Sequence, residues 1–384
     1  MRVAERVALM GGEAAFRVRA RALELEAAGR DVIHLEMGEP GFPTPARIVE
    51  AGIEALRAGR TGYAPPAGIL PLREAIAAEA AQRRGAPVDP SSVVVLPGAK
   101  PGIFFAFLAL VERGDEVVYP DPGFPIFRSL VRALGAVPRP YPAGGAGEGR
   151  PDLDRLEALL TDRTRLLVLN SPSNPTGVVL EGHELDRIAG AVRDRDLWVL
   201  SDEIYARLLY EGTHESIAAR PGMAERTVVV DGLSKTFAMT GWRLGWAVAP
   251  LPLAAVFERL AVNDHSCAVH FVQHAALAAF RGPPVELAAN LAAFRARRDV
   301  LVESLRALPG VRCTVPEGAF FVFADLREAK QPDLAVRLLE EKGVACVAGE
   351  DFGEAGTGFL RFSLTEPAPR VREAASRLRN LLAR

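Results

Sequence analysis

The sequence predicts an α/β protein in two parts: a three-layer domain built on a mostly parallel seven-stranded sheet, and a smaller α+β domain. The chain has 384 residues, of which 49% are hydrophobic and 24% are charged, so it can fill the cores of two domains. Short apolar runs alternate with longer amphipathic stretches from about residue 45 to residue 280. This alternation is typical of a parallel sheet covered by helices.

The predicted boundaries divide the chain into three segments. Residues 1–44 form an N-terminal segment that packs with the small domain, residues 45–285 form the large domain, and residues 286–384 form the small C-terminal domain. The seven strand candidates of the large domain are short apolar runs at 93–96, 116–119, 137–141, 166–170, 198–201, 227–230 and 244–248. In an open parallel sheet, ligands bind at the carboxyl ends of such strands.

Helical periodicity, with apolar residues three and four positions apart, marks six further elements. These predicted helices lie at 72–83, 153–160, 185–193, 287–308, 334–342 and 370–382. The long fourth helix is expected to link the two domains. Two strands of the small domain are predicted at 320–324 and 359–363, and the glycine-rich stretch 143–151 indicates a surface loop.

Composition and charge exclude several classes of protein. The formal net charge is −2 without a block of like charges, so we expect a small-molecule ligand and no nucleic acid. No apolar run reaches the roughly 18 residues of a membrane span, and the N-terminus lacks the features of a signal peptide. A cytoplasmic protein without membrane association is therefore expected. Cys267, Cys313 and Cys346 are too widely spaced for a disulfide framework or a zinc site.

Polar residues follow two of the first strand candidates where each strand ends. VVVLPGAKPG at 93–102 places a glycine turn, Ala99 and Lys100 at the start of an apolar helix, where free backbone N–H groups and the helix dipole suit a phosphate. LNSPSNPTG at 169–177 holds the carboxamide of Asn174 between prolines, which can donate to a ligand oxygen. Either segment alone could equally be a plain structural turn.

Two more clusters follow later strands. WVLSDEIY at 198–205 ends in a carboxylate, Asp202, and a phenol, Tyr205. DGLSKTFAMTGWRLGW at 231–246 contains Lys235 and, eight residues later, Arg243. A partly desolvated lysine close to another cation has its amine form favoured, as Schiff-base chemistry requires. A capping aspartate and a solvated lysine are the plain alternatives, but the clusters meet at one edge of the sheet.

As a set, the motifs NPTG, SDEIY and SKTFAMTGWRLG resemble those of fold-type I pyridoxal-phosphate enzymes of the class I/II aminotransferase family, the aspartate aminotransferase-like enzymes. The resemblance extends along nearly the whole chain. It implies pyridoxal 5'-phosphate as the cofactor and a homodimer with shared active sites. It also implies transfer of an α-amino group from an L-amino acid to a 2-oxo acid, 2-oxoglutarate being the expected acceptor, by a ping-pong mechanism.

The resemblance also assigns roles to individual residues. It implies that Lys235 carries the cofactor as a Schiff base and that Asp202 pairs with the pyridine nitrogen. The other cofactor-binding residues that it implies are Tyr205 and Asn174 at the ring's phenolic oxygen, Arg243, Ser234, Ala99 and Lys100 at the phosphate, Phe124 against the ring, and Tyr63 at the phosphate of a neighbouring subunit. Arg361, in FLRFS, and the backbone of Gly38, in MGEPGFPTP, match the groups that bind the substrate α-carboxylate.

The sequence departs from the family pattern at two places. Gly232 stands where many relatives have a phosphate-binding serine, for which Ser234 compensates in part. GGEAAF at 11–16 replaces a Pro-Ser pair and a threonine that face the substrate. Both departures bear on binding, the first on the cofactor phosphate and the second on the substrate side chain.

The side chain of the donor is left open between two classes. Lys100 favours aspartate or glutamate, because a lysine at the matching place meets a distal carboxylate in some relatives, although it could equally face the phosphate or solvent. Phe16, Phe124 and Phe320 could instead line a pocket for aromatic donors, or simply pack in the core. A carbon–sulfur β-lyase, which shares every cofactor residue, is the alternative reaction.

HFVQH at 270–274 places His270 and His274 one helical turn apart. That spacing can bind a metal, but no third ligand is evident and we predict no metal site.

Overall fold

The computed structural model describes residues 3–144, 149–281 and 285–383. Within these ranges the chain forms thirteen strands and thirteen α-helices. The strands are β1 Ile33–His34, β2 Val93–Leu96, β3 Glu116–Asp121, β4 Val137–Pro142, β5 Thr164–Asn170, β6 Trp198–Asp202, β7 Thr227–Gly232, β8 Gly245–Val248, β9 Arg312–Cys313, β10 Phe321–Asp325, β11 Val344–Ala345, β12 Val347–Ala348 and β13 Phe359–Ser363. The helices are α1 Glu5–Ala8, α2 Ala14–Ala27, α3 Ala46–Arg57, α4 Leu70–Arg84, α5 Lys100–Leu110, α6 Pro125–Ala133, α7 Leu153–Leu159, α8 Gly182–Arg193, α9 Leu251–Asp264, α10 His270–Ala279, α11 Val285–Arg306, α12 Leu334–Lys342 and α13 Ala368–Leu382.

A seven-stranded sheet with the order β2-β8-β7-β6-β5-β3-β4 forms the centre of the molecule. Its strand pairs are parallel except for those of β8, which runs antiparallel to both of its neighbours. The predicted α/β fold with a mostly parallel seven-stranded sheet is therefore confirmed. The predicted loop at 143–151 lies partly outside the described residues.

Helices cover both faces of this sheet. Along β2, Val94 and Leu96 belong to one apolar core, whereas Val93 and Val95 belong to another on the opposite face. Alternate residues of a strand point to opposite faces, so a strand between two helical layers must be apolar throughout. This requirement explains why strands such as β2 and β8 are continuous apolar runs in the sequence.

The register of the sheet brings polar strand ends together. Asn170, at the end of β5, pairs with Asp202, at the end of β6. Asp202 in turn pairs with Val230 on β7. The parallel strands all finish at this edge, which we call the carboxyl edge. The chain leaves it through the segments that carry Asn174, Tyr205 and Lys235.

A second, antiparallel sheet with the order β12-β13-β10-β9 is formed by the C-terminal residues. Strand β1 of the N-terminal segment pairs in parallel with β11, and Ala14 of α2 packs in one apolar cluster with Phe323 and Phe359. The N-terminal segment thus contacts the C-terminal part of the chain. The domain boundaries after residues 44 and 285 stay predictions.

The described residues lack two features that would indicate other classes of protein. No described helix combines the length and the apolar character that a membrane crossing needs. In the same ranges, no group of three or more histidine, cysteine, aspartate or glutamate side chains is arranged to hold a metal ion. The Nε2 atoms of His270 and His274 lie 3.4 Å apart, and His270 Nδ1 lies 3.1 Å from the carbonyl oxygen of Gly62.

Candidate active site

Lys235 lies three residues after β7, at the carboxyl edge. Its Nζ donates a hydrogen bond to the carbonyl oxygen of Gly38 at 2.6 Å, and the side chain is mostly enclosed. Burial lowers the pKa of Lys235 to about 8, against the opposing charge of Glu39 and with the help of Arg243. A substantial fraction of this lysine is therefore neutral near physiological pH, as a nucleophile or a proton acceptor requires.

Asp202 closes β6 and is 4% exposed. Its carboxylate accepts a hydrogen bond from the backbone N–H of Ile204 at 3.2 Å, and it forms no ion pair with any described side chain. Burial raises the pKa of Asp202 to about 7, with the charges of Asp231 and Glu203 adding to the effect and Lys235 opposing it. A buried carboxylate of this kind is poised to receive a cationic group.

Asn170 is a residue that our sequence analysis did not single out. Its Nδ2 donates to the backbone carbonyl of Asp202 at 3.0 Å, and its Oδ1 accepts from the backbone N–H of Asn174 at 2.9 Å. One buried carboxamide therefore fixes two predicted site residues relative to each other. Its position as the last residue of an apolar strand was the available signal, because a polar side chain is out of place there.

A buried polar network behind Asp202 was also missed. Glu203 accepts hydrogen bonds from Ser201 at 3.0 Å and Ser216 at 2.5 Å. Asp231, one residue before the end of β7, lies 3.0 Å from Arg83 and 3.1 Å from Arg207. These contacts tie the ends of β6 and β7 to helix α4 and compensate the buried acidic groups.

Tyr205 follows Asp202 by three residues and is 5% exposed. Its ring contacts Phe320 and Phe321 edge to face, with centroid separations of 5.8 Å and 5.6 Å. Burial raises the pKa of the phenol, the charge of Asp202 raises it further, and Arg361 opposes the shift. The phenol therefore keeps its proton and can donate a hydrogen bond.

Arg361, in the middle of β13, is 4% exposed. Its guanidinium donates to the backbone carbonyl of Glu36 and, at 3.4 Å, to Oδ1 of Asn174, and it lies 4.7 Å from the ring centre of Phe321. Nε has no hydrogen-bond partner, and no described carboxylate is within ion-pair distance. Burial lowers the pKa of Arg361 to about 10. A buried, unpaired guanidinium is a strong site for a carboxylate.

Arg243 and the turn before α5 form a second cationic site. The Arg243 guanidinium donates to the carbonyls of Thr240 at 2.9 Å and Pro97 at 3.2 Å. A Cβ on Gly98, which has a φ of +94°, would lie 2.5 Å from Arg243 Nη2, and a Cβ on Gly245 would lie 2.5 Å from the backbone nitrogen of Ala99. Only glycine at both places lets the guanidinium and the free N–H groups of α5 come together.

Gly232, where relatives have a serine, is also constrained by packing. A Cβ there would lie 3.0 Å from the Cα of Gly245 and from the carbonyl oxygen of Leu244. The close approach of β7 and β8 therefore leaves little room for a side chain at this position. Ser234, two residues on, is 6% exposed and lies in the same turn as Lys235.

Lys100 and Phe124 are brought together at the rim of the site. The ammonium of Lys100 lies 5.4 Å from the ring centre of Phe124 and forms an ion pair with Glu13. Tyr63, in contrast, is 88% exposed in the single chain. The structure thus gathers the predicted residues of one chain at the carboxyl edge and leaves Tyr63 on the surface.

The residues present fit pyridoxal phosphate. The group needs a lysine amine, a buried acid for its ring nitrogen, and cations with N–H groups for its phosphate. Lys235, the unpaired carboxylate of Asp202 and the glycine-lined cradle of Arg243 and Ala99 supply these three features. The roles of the individual residues stay predictions.

Comparison with known proteins agrees with the fold and the motifs. The profile of the family described as "Aminotransferase class I and II" matches residues 30–378. An arginine–pyruvate transaminase of Pseudomonas aeruginosa is 40% identical over 369 residues, 96% of this chain and 94% of that protein. An aspartate aminotransferase of Streptomyces avermitilis is 38% identical, covering 100% of this chain and 97% of that one.

The same likeness extends to solved structures. The structure of the Thermus thermophilus aspartate aminotransferase with maleate superposes with a TM-score of 0.93 at 37% identity, covering 99% of this chain and 100% of that one. The match of family profile, whole-chain relatives and three-dimensional structure has one consequence: this chain belongs to the class I and II aminotransferase family.

Proposed function

We propose that this aminotransferase uses pyridoxal 5'-phosphate to move the α-amino group of an L-amino acid to a 2-oxo acid, and that both substrates bind through their α-carboxylate to Arg361. The observation that carries the proposal is the buried Arg361 guanidinium, which has carbonyl and amide partners but no described carboxylate. The segment 36–38 contacts both Arg361 and Lys235, since the carbonyls of Glu36 and Gly38 accept from them. An α-carboxylate held at Arg361 therefore brings the substrate amine towards Lys235.

When bound, pyridoxal phosphate supplies a carbonyl that accepts the amino group and a ring that takes up the electrons released at the substrate Cα. Asp202 would hold the proton on the ring nitrogen, and Phe124 would lie against the ring. Arg243, Ser234 and the N–H groups of Ala99 and Lys100 would hold the phosphate. Asn174 and Tyr205 would donate to the phenolic oxygen.

Lys235 has two tasks in this proposal. Its amine would hold the cofactor covalently, and as a free amine it would take the proton from the substrate Cα and, as the ammonium, give it back. A pKa near 8 suits both tasks, because the amine and ammonium forms are then both accessible. Gly38 assists by accepting a hydrogen bond from the lysine and by lining the α-carboxylate site.

The relatives do not settle the donor, since one is named for arginine and pyruvate and others for aspartate. The carbon–sulfur β-lyase reaction finds no support in these names. A homodimer with shared sites is part of the proposal, and its support is the exposure of Tyr63 together with the family's pattern.

Lys235→Ala is expected to lower the rate of 2-oxo acid formation by at least about a thousandfold, because the base at Cα is lost. Turnover is measured with several L-amino acids, and the folded state is checked by circular dichroism. Lys342→Ala, a lysine at the end of α12, is the matched control and should behave as wild type. Wild-type turnover by Lys235→Ala would refute the assignment.

Arg361→Ala should lower kcat/KM by about a hundredfold for every L-amino acid that the wild type accepts. A charge-assisted hydrogen bond contributes about 1.5–3 kcal/mol, and each 1.4 kcal/mol is about tenfold. Arg361→Lys should recover only part of the loss, because the ammonium cannot bind a carboxylate in bidentate fashion. A defect confined to one side-chain class would contradict the role of Arg361.

Sedimentation should give twice the chain mass of 41.2 kDa, and Tyr63→Phe should weaken cofactor binding by about tenfold, because a hydrogen bond to a charged phosphate is lost. Hybrid dimers of Tyr63→Phe and Lys235→Ala chains test whether the site is shared. One site per hybrid then combines an intact Lys235 with an intact Tyr63, and it should bind the cofactor with wild-type affinity. A monomeric protein, or hybrids without recovery, would overturn the shared site.

A further inference from the structure

Four cationic side chains lie around the site, and they differ in what they contact. Lys235 donates to a backbone carbonyl, Arg243 to two backbone carbonyls, and Arg361 to a backbone carbonyl and an amide. Lys100 is the one of these four that forms an ion pair with a described carboxylate, that of Glu13. Three cations are thus left for ligands, and the fourth is neutralised by the protein.

Each of the three remaining cations already has a ligand in the proposed function. Arg361 binds the α-carboxylate, Arg243 binds the phosphate, and Lys235 reacts. A substrate with a second, distal carboxylate would need a further cation. Among the described residues at the rim, Lys100 is the cation available to bind such a carboxylate, and it already forms an ion pair with Glu13.

We propose that Glu13 is a specificity-determining residue, which by holding Lys100 in an ion pair disfavours dicarboxylic substrates and selects amino acids and 2-oxo acids without a distal carboxylate. This inference rests on the proposed function of the same site. It differs from the acidic donor expected from the sequence, because Lys100 is paired with Glu13 in the structure. Because donor and acceptor bind in turn to one site, it applies equally to the acceptor, and a monocarboxylic acid such as pyruvate should be preferred over 2-oxoglutarate.

The pair of Lys100 and Glu13 lies beside the phosphate cradle. Lys100 is the first residue of α5, directly after the turn of Gly98 and Ala99 that forms the phosphate cradle, and its ammonium faces Phe124. Glu13 reaches this place from the residue before α2. Both side chains line a cavity of about 790 Å³ that Phe16, Phe104 and Arg243 also border.

Glu13 has no other evident structural task. It occupies the N-cap position of α2, where a side chain often accepts from the first backbone N–H groups, but it forms no capping hydrogen bond. Its side chain is 26% exposed while that of Lys100 is 44% exposed. A partly exposed pair of this kind contributes little to stability, so its effect on the charge of the rim is its main consequence.

The electrostatic field at the site supports the same conclusion. The charge of Glu13 acts on the pKa values of Lys235, Tyr205 and Arg361, so it acts on a bound substrate as well. Glu39, exposed and hydrogen-bonded by Thr240, adds a second negative charge near Lys235. A distal carboxylate at Lys100 would therefore meet the negative charge of Glu13 and no unpaired cation.

The experiment compares kcat/KM for L-aspartate and L-alanine in wild type, Glu13→Gln, and the double variant Glu13→Gln with Lys100→Met. Wild type should favour alanine. Glu13→Gln keeps the shape of the side chain, frees Lys100, and should raise the aspartate-to-alanine ratio by about tenfold, as expected for one partly screened charge. The double variant should lose this gain, because the cation is then absent.

Calorimetric binding of succinate and propionate to the cofactor-loaded protein gives a readout that does not depend on turnover. Succinate should bind about tenfold more tightly to Glu13→Gln than to wild type, while propionate changes little. An unchanged substrate ratio and unchanged succinate affinity in Glu13→Gln would overturn the inference, as would a gain that survives in the double variant. If no amino acid is turned over by the wild type, the proposed function itself fails.

Discussion

The structure depends on keeping several ionisable groups buried without pairing them with each other. Asp202, Lys235 and Arg361 lie within one site, yet their contacts are backbone N–H and carbonyl groups and one carboxamide. Direct ion pairs would stabilise these charges, but they would also neutralise them towards a ligand. Burying these charges without a partner costs free energy. Hydrogen bonds at the ends of the sheet offset part of this cost, and a ligand of opposite charge offsets more when it binds.

Several features away from the chemistry follow from this constraint. Asn170 fixes Asp202 and Asn174 at adjacent strand ends, and the ion pairs of Asp231 with Arg83 and Arg207 balance acidic groups directly behind the site. The contacts of residues 36–38 with Arg361 and Lys235 link the small antiparallel sheet to the large one. A shift between the two sheets would thus change the distance between the α-carboxylate site and the reactive lysine.

The fold and the motif residues could be predicted because their signals are local. Strands buried on both faces are continuous apolar runs, and parallel strands bring their carboxyl ends to one edge, so Asn174, Asp202 and Lys235 were expected to meet. The features of the site that the sequence did not predict depend on contacts between residues far apart in the chain. Glu13 and Lys100 are 87 residues apart, and Arg83 and Asp231 are 148 apart, and neither pair leaves a periodic pattern. Asn170 is a polar residue at the end of an apolar strand, but its two partners could be identified only once the neighbouring strand ends were placed. The tight packing of β7 against β8 at Gly232 likewise cannot be predicted before the strands are placed.

The most direct test of the account is a single half-reaction. The protein is loaded with pyridoxal phosphate and mixed in turn with L-alanine, L-arginine and L-aspartate in the absence of a 2-oxo acid, while the visible absorption of the bound cofactor and the 2-oxo acid released are recorded. With at least one donor, we expect one molecule of 2-oxo acid to be released per chain and the visible band to be lost to the same extent. The reaction should then stop until a 2-oxo acid is added. Continuous release of product with ammonia, or a loaded protein that no amino acid changes, would contradict it.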